Sequence, residues 1–207
     1  MRGLKIVGLG DSTTAGTPGF QSPIEAPPDG RGDPRSQYAY WMMQRHPDWE
    51  VLNRGINRQR TDEILLRVAR DVIQESPQYV ILLAGVNDVY QGRPVASIEA
   101  NLDELYRRAA GPGLRLVLAT ILPFNGMTGW QSDAIRELNR WITDQGHHPD
   151  RLVCDTNRVV ADPSNPDRLA GSPDGYHPDV EGYRRMGERL SRVIEDAEAV
   201  RRGTTVG

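Results

Sequence analysis

The chain has 207 residues, of which 25 are basic and 28 are acidic, and its formal net charge is −3. Charges of both signs are interspersed, which argues against a surface that binds nucleic acid or an anionic membrane. Cys154 is the only cysteine, which excludes an intrachain disulfide, and no apolar run approaches the ~20 residues of a membrane helix. The apolar run at residues 4–9 is too short for a secretory signal, so we expect a cytoplasmic protein.

Five short apolar runs predict β-strands. They are rich in Val, Ile and Leu without strict alternation, as strands buried on both faces should be. The runs are residues 4–9, 51–53, 79–84, 114–121 and 152–154. Between and after them lie apolar stripes with the 3.6-residue period of amphipathic helices. The stripes span residues 64–72, 98–109, 135–142 and 183–197.

The alternation of strands and helices predicts the fold class. Such βαβ units give an α/β fold with three α/β/α layers around a doubly wound sheet of five parallel strands. The common flavodoxin-like strand order for such a sheet is 2-1-3-4-5. At ~150 residues per domain, residues 1–200 are predicted to form a single domain, and residues 201–207 a frayed tail.

Residues 15–36 depart from this economical pattern. The segment contains five prolines and four glycines in 22 residues, which indicates irregular chain. Loops of this length in a compact domain are usually lids or binding loops. We therefore expect an active-site loop or lid here.

Polar residues follow several of the predicted strands. In a parallel sheet the carboxyl ends of the strands meet at one edge, where ligands bind. The segments at this edge are residues 10–13, 53–58, 85–88 and 174–178. They bring together a hydroxyl, amides, a carboxylate and an imidazole, which are the parts of a Ser-His-Asp nucleophilic site with oxyanion donors.

The spacing Asp-x-x-His occurs twice, at Asp144 and His147 and at Asp174 and His177. The first pair ends the helix after the fourth strand, which runs back to the opposite edge and places His147 ~20 Å from Ser12. His177 is expected to open the last helix at the correct edge. Topology thus favours Asp174 and His177 as the functional pair.

Several of these residues also have purely structural interpretations. Ser12 could cap a helix, and Asn87 could make a turn after its strand, although its place beside Ser12 favours an oxyanion donor. Asp11 and Asp88 are expected to brace loops through backbone N–H groups. Trp130 follows the fourth strand and could line a pocket.

Three blocks together resemble the SGNH/GDSL serine hydrolases. Residues 10–12 (Gly-Asp-Ser), 85–88 (Gly-Val-Asn-Asp) and 174–178 (Asp-Gly-Tyr-His-Pro) stand in the family's order and span almost the whole chain. The resemblance implies the fold predicted above. It also implies that Ser12 is the nucleophile, His177 the base and Asp174 its orienting acid. Asn87 would supply a side-chain oxyanion donor and Ser12 a backbone donor, with no metal or organic cofactor.

The family has one further block, its second, which falls here at residues 53–58 and departs from the family pattern. The family usually has N-x-G-x-x-G, in which the second glycine supplies a third oxyanion donor. Here Gly55 matches the first glycine, whereas Arg58 stands in place of the second. One hypothesis is that the Arg58 backbone N–H replaces that donor at a positive φ, with its guanidinium at the pocket rim. The alternative is that Gly55 or Asn57 supplies the N–H.

The resemblance implies a serine esterase that acts on small-molecule esters, and the mostly polar segment 15–36 favours short acyl groups. Alternatives within the family are a carbohydrate O-acetylesterase, a lysophospholipase or a thioesterase. An alternative of another class is a flavodoxin-like module in which residues 10–17 bind a phosphate or flavin phosphate. That interpretation would leave Asp174 and His177 unexplained. The oligomeric state stays open.

Overall fold

The computed structural model describes residues 3–204. Its centre is a sheet of five parallel strands with the order β2-β1-β3-β4-β5, which confirms the predicted fold class and strand order. The strands are β1 (Lys5–Gly10), β2 (Glu50–Gly55), β3 (Tyr79–Leu83), β4 (Arg115–Ala119) and β5 (Arg151–Cys154).

Helices cover both faces of this sheet. The α-helices are α1 (Ser12–Ala15), α2 (Tyr38–Arg45), α3 (Thr61–Leu65), α4 (Val86–Tyr90), α5 (Val95–Ala109), α6 (Gly129–Asp144), α7 (Thr156–Val160) and α8 (Val180–Thr204). Short 3₁₀ turns occur at Pro34–Ser36 and Gln145–His147. Within residues 3–204, no helix combines the length and the apolarity that a membrane crossing requires.

The strands send alternate side chains into two separate cores. In β3, Val80 and Leu82 join the core under α3, α5 and α6, whereas Tyr79 and Ile81 join the core under α2 and α8. All four side chains are buried. A strand buried on both faces has no need of polar alternation, which explains the continuous apolar runs in the sequence.

One predicted helix is wrong in detail. The stripe at residues 64–72 predicts a continuous helix, but the chain forms α3 and then a π-helical turn over Ala69–Ile73. Between them, the buried Arg67 donates to the backbone oxygens of Gly10 and Arg54 at 2.7 Å each. These bonds to the carboxyl ends of β1 and β2 are tertiary contacts, which a local period does not encode.

Residues 15–36 fold against the end of β2. The segment contains a short antiparallel pair, Phe20–Gln21 with Arg31–Gly32, and Ser22 Oγ donates to the Gly55 backbone oxygen at 2.6 Å. A second short antiparallel pair, Ala161–Asp162 with Asn165–Leu169, follows α7. Helix α8 continues to Thr204, so residues 201–204 of the predicted tail are helical, and residues 205–207 lie outside the described residues.

Candidate active site

Ser12 is the first residue of α1, directly after β1. Asp11 caps this helix, because its Oδ1 accepts a hydrogen bond from the Thr13 backbone N–H at 2.9 Å. Asp11 is therefore the N-cap of α1, and the interpretation of Ser12 as a helix cap is wrong. Its hydroxyl instead lies 2.8 Å from His177 Nε2.

Asp174 and His177 lie in the turn before α8. The sequence predicts that His177 opens α8, but in the structure His177 precedes the first residue of that helix, Val180, by three positions. The reason is Pro178, since a residue before proline avoids the helical region. His177 Nδ1 lies 2.7 Å from Asp174 Oδ2, which completes a continuous path from carboxylate to hydroxyl.

The surroundings of Asp174 keep it ionised. Partial burial raises the pKa of its carboxyl group, but hydrogen bonds from the His177 ring and from the backbone N–H groups of Tyr176 and His177 outweigh burial and lower it. The carboxylate can therefore hold the tautomer with hydrogen on Nδ1, which leaves Nε2 free to accept a proton. Ser172, which sequence reasoning missed, fixes the turn by donating to the His177 backbone oxygen at 2.6 Å.

The second Asp-x-x-His pair lies elsewhere. Asp144 ends α6, and His147 belongs to the 3₁₀ turn that leads into β5, so both lie near the amino end of that strand. Ser12 and His177 lie at the carboxyl edge. This placement agrees with the topological choice between the two pairs.

Asn87 lies in α4 and lines the same cleft as Ser12 and His177. Its Nδ2 donates one hydrogen bond to the Gln59 backbone oxygen at 3.0 Å. An amide nitrogen carries two hydrogens, so one N–H remains for a ligand in the cleft. The geometry is compatible with the predicted oxyanion donor.

Gly55 and Asn57 cannot supply the third oxyanion donor. The Gly55 N–H already donates to Asn53 Oδ1 at 3.0 Å, and the Asn57 N–H donates to Glu25 Oε1 at 2.9 Å. The alternative that named these two residues is therefore wrong. Arg58 has a positive φ of 63° and lines the cleft, and among the described residues nothing accepts a hydrogen bond from its backbone N–H or its guanidinium.

The cleft above Ser12 has a volume of about 890 Å³ and one aromatic wall. Tyr90 and Tyr176 are 54% and 49% exposed, and both pack against the buried Phe124 with ring centroids 5.8 and 6.0 Å away. Trp130, which could have lined the pocket, is not part of the lining. Of residues 15–36, only Thr17 is among the residues that line the cleft.

Asp11 and Asp88 brace loops, which confirms their structural interpretation. Asp88 accepts hydrogen bonds from the backbone N–H and the hydroxyl of Thr61 at 2.9 and 2.8 Å. Asp11 is buried, and its Oδ2 has no hydrogen-bond partner among the described residues. The pKa of Asp11 is raised to about 7, chiefly by burial and in part by the charge of the nearby Asp88.

Comparison with known proteins agrees with this architecture. A G-D-S-L family protein from Desulfitobacterium hafniense DCB-2 is 29% identical, with a TM-score of 0.75 over 92% of this chain and 99% of that chain. Axe2, an acetylxylan esterase from Geobacillus stearothermophilus, has a TM-score of 0.71 over 94% of this chain and 96% of its own. At 22% identity, that likeness shows the fold alone.

A curated relative covers less of the molecule. The uncharacterized lipoprotein YqeF from Bacillus subtilis (strain 168) is 27% identical over 126 residues, which are 57% of this chain and 48% of that protein. The chain thus spans about half the length of that relative. The model of the GDSL-like lipase/acylhydrolase family matches residues 9–185, a range that contains all three blocks of the resemblance. The chain therefore belongs to the GDSL-like lipase/acylhydrolase family.

Proposed function

We propose that the protein hydrolyses carboxylic esters with Ser12 as the nucleophile, His177 as the base and Asp174 as the acid that orients it. The observation that carries this proposal is the unbroken path from Asp174 Oδ2 to His177 Nδ1 at 2.7 Å and from Nε2 to Ser12 Oγ at 2.8 Å. Both distances are those of hydrogen bonds. Such a path lets the ring take the hydroxyl proton as the oxygen attacks.

The reaction follows from the positions of these groups. His177 Nε2 accepts the Ser12 proton while Oγ adds to the ester carbonyl carbon. The protonated ring then returns this proton to the leaving alcohol, and an acyl-enzyme remains on Ser12. Water, deprotonated by His177, attacks the acyl-enzyme and releases the acid together with the free serine.

Three donors are available for the negative oxygen of the tetrahedral intermediate. They are the backbone N–H groups of Ser12 and Arg58 and the second N–H of Asn87 Nδ2. Ser12 opens α1, so its N–H has no partner within the helix, and no described residue accepts a hydrogen bond from it. Free donors that face one point stabilise charge that develops there.

The walls of the cleft favour a short acyl group. Apart from the aromatic wall, Val86 is the one aliphatic side chain in the lining, whereas Asn57, Arg58 and Gln91 contribute polar surface. A long acyl chain would need a larger apolar wall, which argues against a lysophospholipase. The half-exposed rings of Tyr90 and Tyr176 favour a second candidate, a carbohydrate O-acetylesterase, because aromatic faces pack against the apolar faces of sugars.

The phosphate-binding alternative does not fit the first loop. Helix α1 has only four residues, and the Asp11 carboxyl group already accepts from the N–H of Thr13. A phosphate at this position would lie against that carboxyl group, and the N–H of Thr13 would not be available to bind it. A preparation without flavin absorbance that hydrolyses p-nitrophenyl acetate would exclude this alternative.

Ser12→Ala and His177→Ala test the proposed function, with His147→Ala as the matched control. We expect the first two to lose at least ~10³-fold in kcat for p-nitrophenyl acetate and the control to keep its activity. Phenylmethylsulfonyl fluoride should transfer its phenylmethylsulfonyl group to Ser12 of the wild type, with release of fluoride, and a mass measurement should show no such adduct on Ser12→Ala. A folded Ser12→Ala protein that retains most activity would refute the covalent mechanism.

The substrate class needs a separate measurement. A series of p-nitrophenyl esters of increasing chain length, run beside an acetylated xylo-oligosaccharide, compares the two candidates. A maximum at acetate with little release from the sugar would favour a general short-chain esterase. Preferential deacetylation of the sugar, lost in Tyr176→Ala, would favour the carbohydrate esterase.

A further inference from the structure

Arg58 holds a backbone conformation that its own contacts do not explain. Its φ of 63° lies in the left-handed region, which a residue with a Cβ rarely adopts. Its side chain is exposed, and no described residue bonds to its N–H or its guanidinium. Such a conformation persists only where the surrounding structure imposes it.

On one side of Arg58, two side chains of residues 15–36 fix the position of Asn57. Glu25 Oε1 accepts from the Asn57 backbone N–H and from its Nδ2, both at 2.9 Å, and Oε2 accepts from Nδ2 at 2.8 Å. The Thr17 hydroxyl donates to Asn57 Oδ1. Every polar atom of the Asn57 side chain is therefore bound by this segment.

On the other side, Asn87 of α4 and Arg67, which follows α3, fix Gln59. Asn87 Nδ2 donates to the Gln59 backbone oxygen at 3.0 Å, and Arg67 Nε donates to Gln59 Oε1 at 2.6 Å. The residues on both sides of Arg58, Asn57 and Gln59, are thus held by contacts from outside the turn. The positive φ is the conformation that satisfies both attachments.

From this arrangement we infer that Glu25 is a positioning residue for the oxyanion donors. By binding Asn57, it holds the following peptide so that the Arg58 N–H faces the cleft. Glu25 does not line the cleft itself, so it acts only through Asn57. The inference rests on the proposed function, and it assigns to residues 15–36 the role of a brace for residues 56–59.

A positioning role for Glu25 predicts that the effect of its loss on activity depends on the residue at position 58, whereas a purely structural role predicts no such dependence. When Glu25 is lost and arginine stands at position 58, the backbone of that arginine can relax to negative φ. Its N–H then turns away from the cleft. Glycine adopts positive φ as readily as negative φ, so it has less tendency to leave the active conformation. The cost of losing Glu25 should therefore depend on which residue stands at position 58.

The experiment is a double-mutant cycle with Glu25→Ala and Arg58→Gly, assayed with p-nitrophenyl acetate. We expect Glu25→Ala to lower kcat ~10- to 100-fold with KM changed less than about threefold, and Glu25→Gln to restore part of the loss. In the Arg58→Gly background, the loss caused by Glu25→Ala should shrink at least about threefold. Glu137→Ala, at an exposed position on α6, is the control and should match the wild type.

Active-site titration with phenylmethylsulfonyl fluoride corrects each kcat for the folded fraction. An equal loss in both backgrounds, or a loss explained by the active fraction alone, would overturn the positioning role. So would an unchanged kcat in Glu25→Ala while Ser12→Ala is inactive, and in that case the proposed function would stand. Retained activity in Ser12→Ala would overturn both.

Discussion

The buried carboxyl group of Asp11 should make the stability of the fold depend on pH. Its side chain is 1% exposed, and among the described residues its Oδ2 has no hydrogen-bond partner. The pKa is raised from 3.8 to about 7, because burial and the charge of Asp88 outweigh the Thr13 hydrogen bonds and the charge of Arg67, which act in the opposite direction. Between pH 3.8 and about pH 7, the Asp11 carboxyl group therefore keeps its proton in the folded protein but has released it in the unfolded chain.

The sign and size of the effect follow from these two pKa values. Because the folded state binds more protons, the free energy of unfolding falls as pH rises from the unfolded pKa through the folded one. A change from 3.8 to about 7 corresponds to a total of about 4 kcal/mol, of which about 3 kcal/mol is lost between pH 5 and pH 9. For a chain of this size, that loss lowers Tm by ~6–12 °C.

Thermal unfolding between pH 5 and pH 9 measures this loss. Asp11→Asn has the shape of the protonated acid and does not titrate, so its Tm should fall less with pH than that of the wild type. Asp103→Asn, at an exposed position on α5, is the control and should follow the wild type. Parallel curves for wild type and Asp11→Asn would show that the Asp11 carboxyl ionises like an exposed one, and the reasoning from burial would be refuted.

Two further predictions concern the cleft. Asn87→Ala should lower kcat by ~10²–10³ with a smaller change in KM, as expected when one oxyanion donor is removed; steady-state kinetics would contradict this role if only KM changed. Arg58→Gly should reduce the ratio of kcat/KM for an anionic ester to that for a matched neutral ester by about two- to fivefold, because an exposed charge pair contributes up to ~1 kcal/mol. An unchanged ratio would remove the guanidinium from substrate recognition.

The layered fold could be predicted because its signals are local. Apolar runs without alternation indicate strands buried on both faces, and β3 is buried in this way along its whole length. Helix α5 begins after Pro94 and ends shortly before Gly111, where proline and glycine predict its limits. The break after α3 could not be predicted, since it accompanies contacts of Arg67 with residues 54 and 10, which are far apart in sequence.

The meeting of Ser12, Asp174 and His177 could be expected from topology, because all three follow strands at one edge. Which backbone N–H group of the second block is free could not be predicted from topology. Whether Gly55, Asn57 or Arg58 has a free N–H depends on acceptors that fold onto these residues, and Glu25 lies 32 residues from Asn57. Irregular segments such as residues 15–36 carry no period from which such contacts could be inferred.

The two glycine positions of the second block differ in what the fold demands of them. A Cβ at Gly55 would lie 2.1 Å from the Ala15 nitrogen, inside the backbone of α1, and a backbone atom there has no room to move. Helix α1 could then no longer pack on β2, and Ser12 would be displaced with it. At position 58 the side chain is exposed, and the cost of a larger residue is backbone strain alone. Backbone strain can be balanced by neighbouring hydrogen bonds such as those of Glu25, whereas a clash with a helix cannot. This difference explains why arginine is tolerated at position 58 and glycine is required at position 55.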